Sequence, residues 1–136
     1  MRMAREWNGM GLQDRVNRAS GRALVGISMQ VVVNTKRVTH RISGSLARSV
    51  HAAQPMTADE EMDERLAEAG TDLALYYGMP VPVHTPMGRA LEVGSWMPYA
   101  CVEWVGRGHP GVTQGLEMSR IMVNPIIEKA FREEGL

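Results

Sequence analysis

Leu91-Glu-Val-Gly-Ser-Trp-Met-Pro-Tyr-Ala-Cys-Val-Glu-Trp-Val-Gly106 is the stretch on which the architecture of this chain turns. A run that resumes at Arg89 ends at Gly94 and reads as a strand of a small sheet, and an aromatic turn follows it. Pro98 to Val105 is expected to pack Tyr99, Val102 and Trp104 inward, with Cys101 a buried thiol inside the same apolar turn. Gly106 then opens a segment, Gly106 to Gly115, whose glycines, proline and polar residues predict a mobile loop. Beyond it, Asn124 reads as the cap of a short final helix with Pro125 at its first position, where a missing amide costs nothing. That helix turns Ile126, Ile127, Ala130 and Phe131 to the core.

Upstream, Leu12, Val16, Ala19, Ala23, Ile27 and Val31 recur at spacings of three and four, which predicts the longest helix over residues 12 to 35. Arg15, Arg18, Arg22 and Lys36 fall on one flank of that stripe, either as a solvated face or as a surface for a partner. Val38 to Ile42 alternates and ends at the turn pair Ser43-Gly44, and Leu46 to Ala53 reads as a strand or a short turn entering one. Thr57 and Glu60 have capping-box spacing before a short helix with Met62, Leu66 and Ala69 on one face, ending at Gly70. Leu73, Leu75 and Tyr77 alternate with other residues, which predicts a strand up to Gly78. Pro80, Pro82 and Pro86 exclude a central strand between Met79 and Met87, leaving loop or sheet edge.

At 136 residues and 44% hydrophobic, the chain is one domain long, with no internal repeat and no linker. A domain of this size buries roughly two-thirds of its unfolded surface. Aromatics are only 5%, so aliphatic residues and the 11 methionines must fill the interior or adapt to a partner's surface. The formal charge is zero, which argues against general attraction to nucleic acid or membrane. Its distribution is polar, however: residues 1–51 carry nine basic and two acidic side chains, net +7, and the remainder carries six against thirteen, net −7. Such polarity either neutralises within the fold or orients identical subunits head to tail. A single cysteine excludes an internal disulfide and fits a reducing compartment, and no apolar run approaches a membrane span or a secretion signal.

No catalytic constellation emerges. His40, His51, His84 and His109 share no metal-site spacing with one another, with Cys101 or with a carboxylate, so neither a metal site nor a cofactor is expected. Cys101 has no local signature of a nucleophile, and Gly106, Gly108 and Gly111 lack the lysine and hydroxyl of a phosphate loop. Asp59, Glu60, Glu61, Asp63 and Glu64 read as a solvated helix start favoured by the helix dipole.

Three blocks, taken together and in order, resemble the small tail-component or head-to-tail connector family of long-tailed double-stranded DNA bacteriophages. The first is Ser43, Gly44, Leu46, Arg48, Ser49 and Val50; the second is Val93, Gly94, Tyr99, Ala100, Val102, Glu103, Trp104 and Gly106, with Val105 an extra residue; the third is Pro125, Ile126, Ile127 and Ala130. The segment 55–89 aligns with none of them and reads as an insertion within a single domain spanning 1–136. The resemblance implies an α+β fold, a small antiparallel β-sheet with a long N-terminal helix packed across it and a short C-terminal helix. It also implies a structural virion protein without enzymatic activity, forming a ring, expected as a hexamer, at the neck or as a tail terminator. Its partners would be copies of itself, neighbouring neck and tail-tube proteins, and genomic DNA passing without sequence-specific grip. Arg15, Arg18, Arg22 and Arg107 would then lie at the subunit or DNA-channel interface. A small DNA-binding or regulatory domain using the basic first helix is the reading of another class, and an enzyme ranks third.

Overall fold

The apolar stripe beginning at Leu12 lies on a helix longer than the stripe itself: α1 runs Arg2–Val38, 37 residues. The computed structural model describes residues 2–40, 44–53, 59–86, 88–97 and 99–136, with residues 2–10 and 85 described by backbone alone. Ala19, Ala23 and Val31 of the predicted stripe are buried, and the buried face continues through Val32, Asn34 and Thr35 to Thr39. Helix therefore persists through Val38, where alternation pointed to a different conformation; Arg41, Ile42 and Ser43 lie outside the described residues.

After Gly44, which takes φ 83° at the head of the next turn, α2 (Ser45–Ser49) leads into β1 (His51–Ala53). Residues 46–53 thus form the short turn entering a strand. Asp59, not Thr57, caps α3 (Glu60–Glu68), its carboxylate accepting the Met62 amide at 3.1 Å; Thr57 lies outside the described residues. The buried face of α3 is also rotated from the predicted one. Asp63 and Ala67 are buried whereas Met62 is exposed, because Asp63 is drawn inward by polar partners described below. Leu73–Tyr77 is a helix, α4, and not a strand. Asp72 accepts the Ala74 amide and sets the helical turn, a local hydrogen bond that outweighs the β preference of the tyrosines.

The proline-rich segment forms an isolated hairpin rather than joining the main sheet. β2 (Val83–Thr85) pairs antiparallel with β3 (Gly88–Ala90), register His84 opposite Arg89. The Arg89 guanidinium donates to the Asn17 carbonyl at 2.7 Å and lies over Gly21, tying the hairpin to α1. The predicted strand from Arg89 to Gly94 is therefore split, since β4 (Glu92–Gly94) pairs with β1 in a second two-stranded sheet, Ala52 opposite Val93. α1 packs on both β1 and β4. The α+β class is thus found, with a long N-terminal helix across a small antiparallel sheet.

The C-terminal helix α5 is Val112–Glu133, 22 residues, so it starts at Val112 and not at Asn124. Its first turn is closed by the Gln114 side chain accepting the Gly111 amide at 2.9 Å, which absorbs much of the segment expected as a loop. Pro125 consequently sits inside the helix. The carbonyl of Ile121, four residues back, loses its helical donor there, a loss tolerable because Ile121 is 81% exposed and so lies on the solvent side of the helix. α5 packs antiparallel on α1: Arg18 meets Glu134 at one end and Asn34 donates to Ser119 at 2.9 Å towards the other.

Two buried clusters make the core. Leu46, Ala67, Met97 and Ala100 form one, and Val32, Val50 and Ala52 the other. Trp104 packs against both, and Tyr99 against the first, as the sequence predicts. Val102 and Cys101, by contrast, are exposed. Both lie where the chain winds into a π-helical turn, Val102–Gly106, whose wider winding brings Glu103 and Trp104 inward and leaves Val102 and Cys101 on the outer side.

Candidate functional site

The four arginines singled out in the sequence do not share one surface role. Arg18 Nε lies 3.1 Å from Glu134 Oε2, Arg22 Nη1 reaches Glu133 at 3.5 Å and Glu134 at 3.4 Å, and Arg15 Nη1 is 3.5 Å from the Glu134 carbonyl. These pairs clamp the α1 flank to the acidic end of α5, so part of the +7/−7 polarity neutralises within the chain itself. Arg107 stands apart on the π-turn, 2.9 Å from Glu103. Lys36 pairs with Asp72, at the head of α4. Arg18, Arg22 and Arg107 keep more than half of their side chains in water, so their pairs contribute about 0–1 kcal/mol each and matter for orientation more than for stability.

A buried polar cluster occupies the junction of β1, α3 and α4. His51 Nδ1 donates to the Ser49 carbonyl at 2.8 Å, its Nε2 faces Asp63 Oδ2 at 3.6 Å, and its ring stacks on Tyr77 at 5.1 Å between centroids. The Tyr77 hydroxyl donates to Asp63 Oδ1. The residue types invite comparison with a serine–histidine–aspartate relay, but the geometry does not make one. The Ser49 hydroxyl donates to the Leu46 carbonyl at 2.6 Å and pairs with Ser95, leaving no hydroxyl on either imidazole nitrogen. The cluster is a structural lock.

Removal of the Tyr77 hydroxyl end from water, followed by its hydrogen bond to Asp63 and the charge of that carboxylate, pushes the phenol up beyond the ordinary tyrosine range. Burial and the nearby Glu68 push Tyr99 in the same direction. The folded state holds these protons more tightly than the unfolded chain does, so their contribution is complete below about pH 10 and is lost as pH rises further. Urea midpoints measured from pH 8 to 11 should therefore fall at the alkaline end. Tyr77→Phe should lower the midpoint at neutral pH and flatten the alkaline decline; an unchanged slope would show that Asp63 does not hold the phenol.

A second polar cluster joins the end of α1 to the π-turn and the loop after it. His40 Nδ1 lies 3.6 Å and His109 Nε2 3.9 Å from the same oxygen, Glu103 Oε2, and the two imidazoles stack at 4.6 Å. The Glu103 side chain is 12% exposed and Oε2 has no hydrogen bond, while Oε1 is taken by Arg107. Sequence spacing did not reveal this grouping, because His40 is brought to Glu103 only by the packing of α1 against the turn.

Exposed apolar residues cluster on the surface of α5. Met118, Ile121, Met122 and Pro125 repeat at i, i+3, i+4 and i+7 along α5, all exposed, on a face distinct from the one that buries Gly115, Ser119 and Ala130. α5 therefore carries a face packed within the chain and a second, apolar stripe left exposed. On another part of the molecule Leu75 is 82% exposed and Tyr76, Met79 and Val81 are exposed with it. Met79 and Val81 border a groove of about 730 Å3 between α1 and α5, lined also by Gly21, Gly26 and Ala130.

Among the described residues no helix is long and apolar enough to cross a membrane. No family model, no curated protein and no solved structure matches this chain.

Proposed function

We propose that this protein is a structural subunit that works by assembling with copies of itself, as a ring at the neck or tail end of a tailed bacteriophage. The observation that carries the assembly reading is the second apolar stripe on α5. Monomeric proteins rarely leave extended apolar patches in water, and a helix apolar on two faces is stable when both are covered. Methionines at two of the four stripe positions suit a surface that repacks against a neighbour. The virion setting rests on the three sequence blocks, and the α+β fold that they imply is consistent with it. The arginine pairs place less weight on a DNA channel: Arg18 and Arg22 are engaged by Glu133 and Glu134, which restrains any grip on passing DNA.

Light scattering and native mass measurement of the purified chain test the reading. A closed oligomer is expected, six copies in the hexamer form. Ile121→Asp places a charge at the centre of the exposed stripe without touching the core, and it should shift the population towards monomer by at least tenfold in association constant while leaving the unfolding midpoint of the monomer unchanged. A protein monomeric at every concentration would overturn the assembly reading. Oligomers absent from purified virions of the source phage would overturn the neck and tail assignment alone.

A further inference from the structure

We infer that His40, Glu103 and His109 form a binding site for one divalent transition-metal ion of the zinc class. Three donors from three separate segments converge, and all ligand atoms lie within 4.8 Å of one another. Zinc bound to imidazole nitrogen and carboxylate oxygen sits about 2.0–2.2 Å from each donor, so tetrahedral donors stand about 3.4 Å apart. The observed separations from Glu103 Oε2 are 3.6 Å and 3.9 Å. These are too long for hydrogen bonds and within a few tenths of an ångström of metal-bridged contacts.

The placement of the rings points the same way, since His40 Nδ1 and His109 Nε2 both face Glu103 Oε2. The two imidazoles stack at 4.6 Å between centroids, which sets their ring nitrogens side by side towards one cation. Glu103 Oε2 is sheltered from water and has no hydrogen bond, a costly state for a carboxylate oxygen that a cation would relieve. Arg107 already holds Oε1 at 2.9 Å, which orients the carboxylate and leaves Oε2 facing the imidazoles, the arrangement in which a carboxylate ligand is steadied by a neighbouring donor. Glu103 lies on a π-helical turn, a distortion found disproportionately at functional positions. Two nitrogens and one oxygen select zinc, cobalt, nickel or copper over calcium and magnesium, which prefer oxygen alone.

Bound there, the ion would pin the loop carrying His109 to the end of α1. Its place beside Trp104 and just ahead of α5 makes it a clamp on the segment that precedes the exposed stripe.

The test uses the full chain without an affinity tag, titrated calorimetrically with zinc chloride and, separately, with cobalt(II) followed by visible absorption. One zinc ion per chain is expected, with intense visible cobalt bands that mark a four-coordinate site. His109→Ala and His40→Ala alter exposed or half-exposed residues and should keep the fold. Each should weaken zinc binding at least tenfold, and Glu103→Gln should do the same. Zinc should also raise the wild-type thermal midpoint and leave that of the double histidine variant unmoved. No zinc uptake by the wild type, or equal affinity in the double variant, would overturn the site.

Discussion

Trp104→Ala should lower the unfolding free energy by about 3–5 kcal/mol, the range for truncating a large core aromatic. The size of the effect follows from position more than from burial, because the ring is only partly buried. Each of the two core clusters is small, three or four residues built largely from alanine and valine. Among the described residues Trp104 is packed against both, so its loss removes an apolar contact that links the two clusters. It also removes the surface on which Gly111 rests. A Cβ at Gly111 would stand 2.5 Å from the indole, so backbone and ring are in direct contact just before α5 begins.

Trp104→Phe separates packing from polarity. The indole Nε1 is buried and has no hydrogen-bond partner. Phenylalanine discards that unsatisfied donor while keeping part of the apolar volume, so it should cost markedly less than alanine, about 1–2 kcal/mol. Urea denaturation followed by far-ultraviolet circular dichroism measures both variants. A loss under about 1 kcal/mol for Trp104→Ala would mean that backbone and hydrogen bonds alone hold the two clusters together, and that the indole does not bridge them.

The contrast between what the residue order reveals and what it hides has identifiable physical causes. The stripe from Leu12 to Val31 was readable because repeated spacing over many turns leaves few alternatives, whereas the α+β class came from the resemblance carried by the three blocks and not from periodicity. Trp104 was readable as an inward residue for the same reason that it matters, being a large apolar side chain between glycine-rich segments. Leu73–Tyr77 was not: five residues alternate as well as they spiral, and the deciding hydrogen bond comes from Asp72, outside the run. Asn124-Pro125 carries a sound helix-start signature inside a helix that starts earlier, because the exposed position of Ile121 makes an internal proline tolerable. Asp63, one of five acidic residues in a charged run, is buried only because His51 and Tyr77 meet it from other elements. The grouping of His40, Glu103 and His109 has the same origin, since nothing local to any of the three positions announces the other two.

Gly115→Ala should destabilise the protein even though alanine is the better helix former. Within a 22-residue helix, replacing glycine by alanine gains about 0.8–1.0 kcal/mol of intrinsic propensity. Against this, a Cβ at Gly115 would lie 2.1 Å from Thr35 Oγ1, 2.8 Å from Thr35 N and 2.9 Å from Thr35 Cα. The hydroxyl could rotate away, but the last two atoms belong to the backbone of α1, which cannot yield without displacing the whole helix from α5. Overpacking of that kind costs about 1–3 kcal/mol and sometimes more, so the clash wins. The displacement would also stretch the buried hydrogen bond from Asn34 to Ser119 and unseat Ser119 from the Gly115 carbonyl, both of which cross or brace this contact. Gly11→Ala is the matching control, since a Cβ there meets nothing within 4 Å; it should stabilise by up to about 1 kcal/mol. Adding Thr35→Ala to Gly115→Ala should restore only part of the loss, because it removes the 2.1 Å overlap and leaves the two backbone overlaps in place. Thermal melts of the four proteins decide the matter: if Gly115→Ala melts at or above the wild-type temperature, α1 and α5 do not approach as closely as the packing at Thr35 requires, and the antiparallel helix pair on which the exposed stripe of α5 is oriented would have to be redrawn.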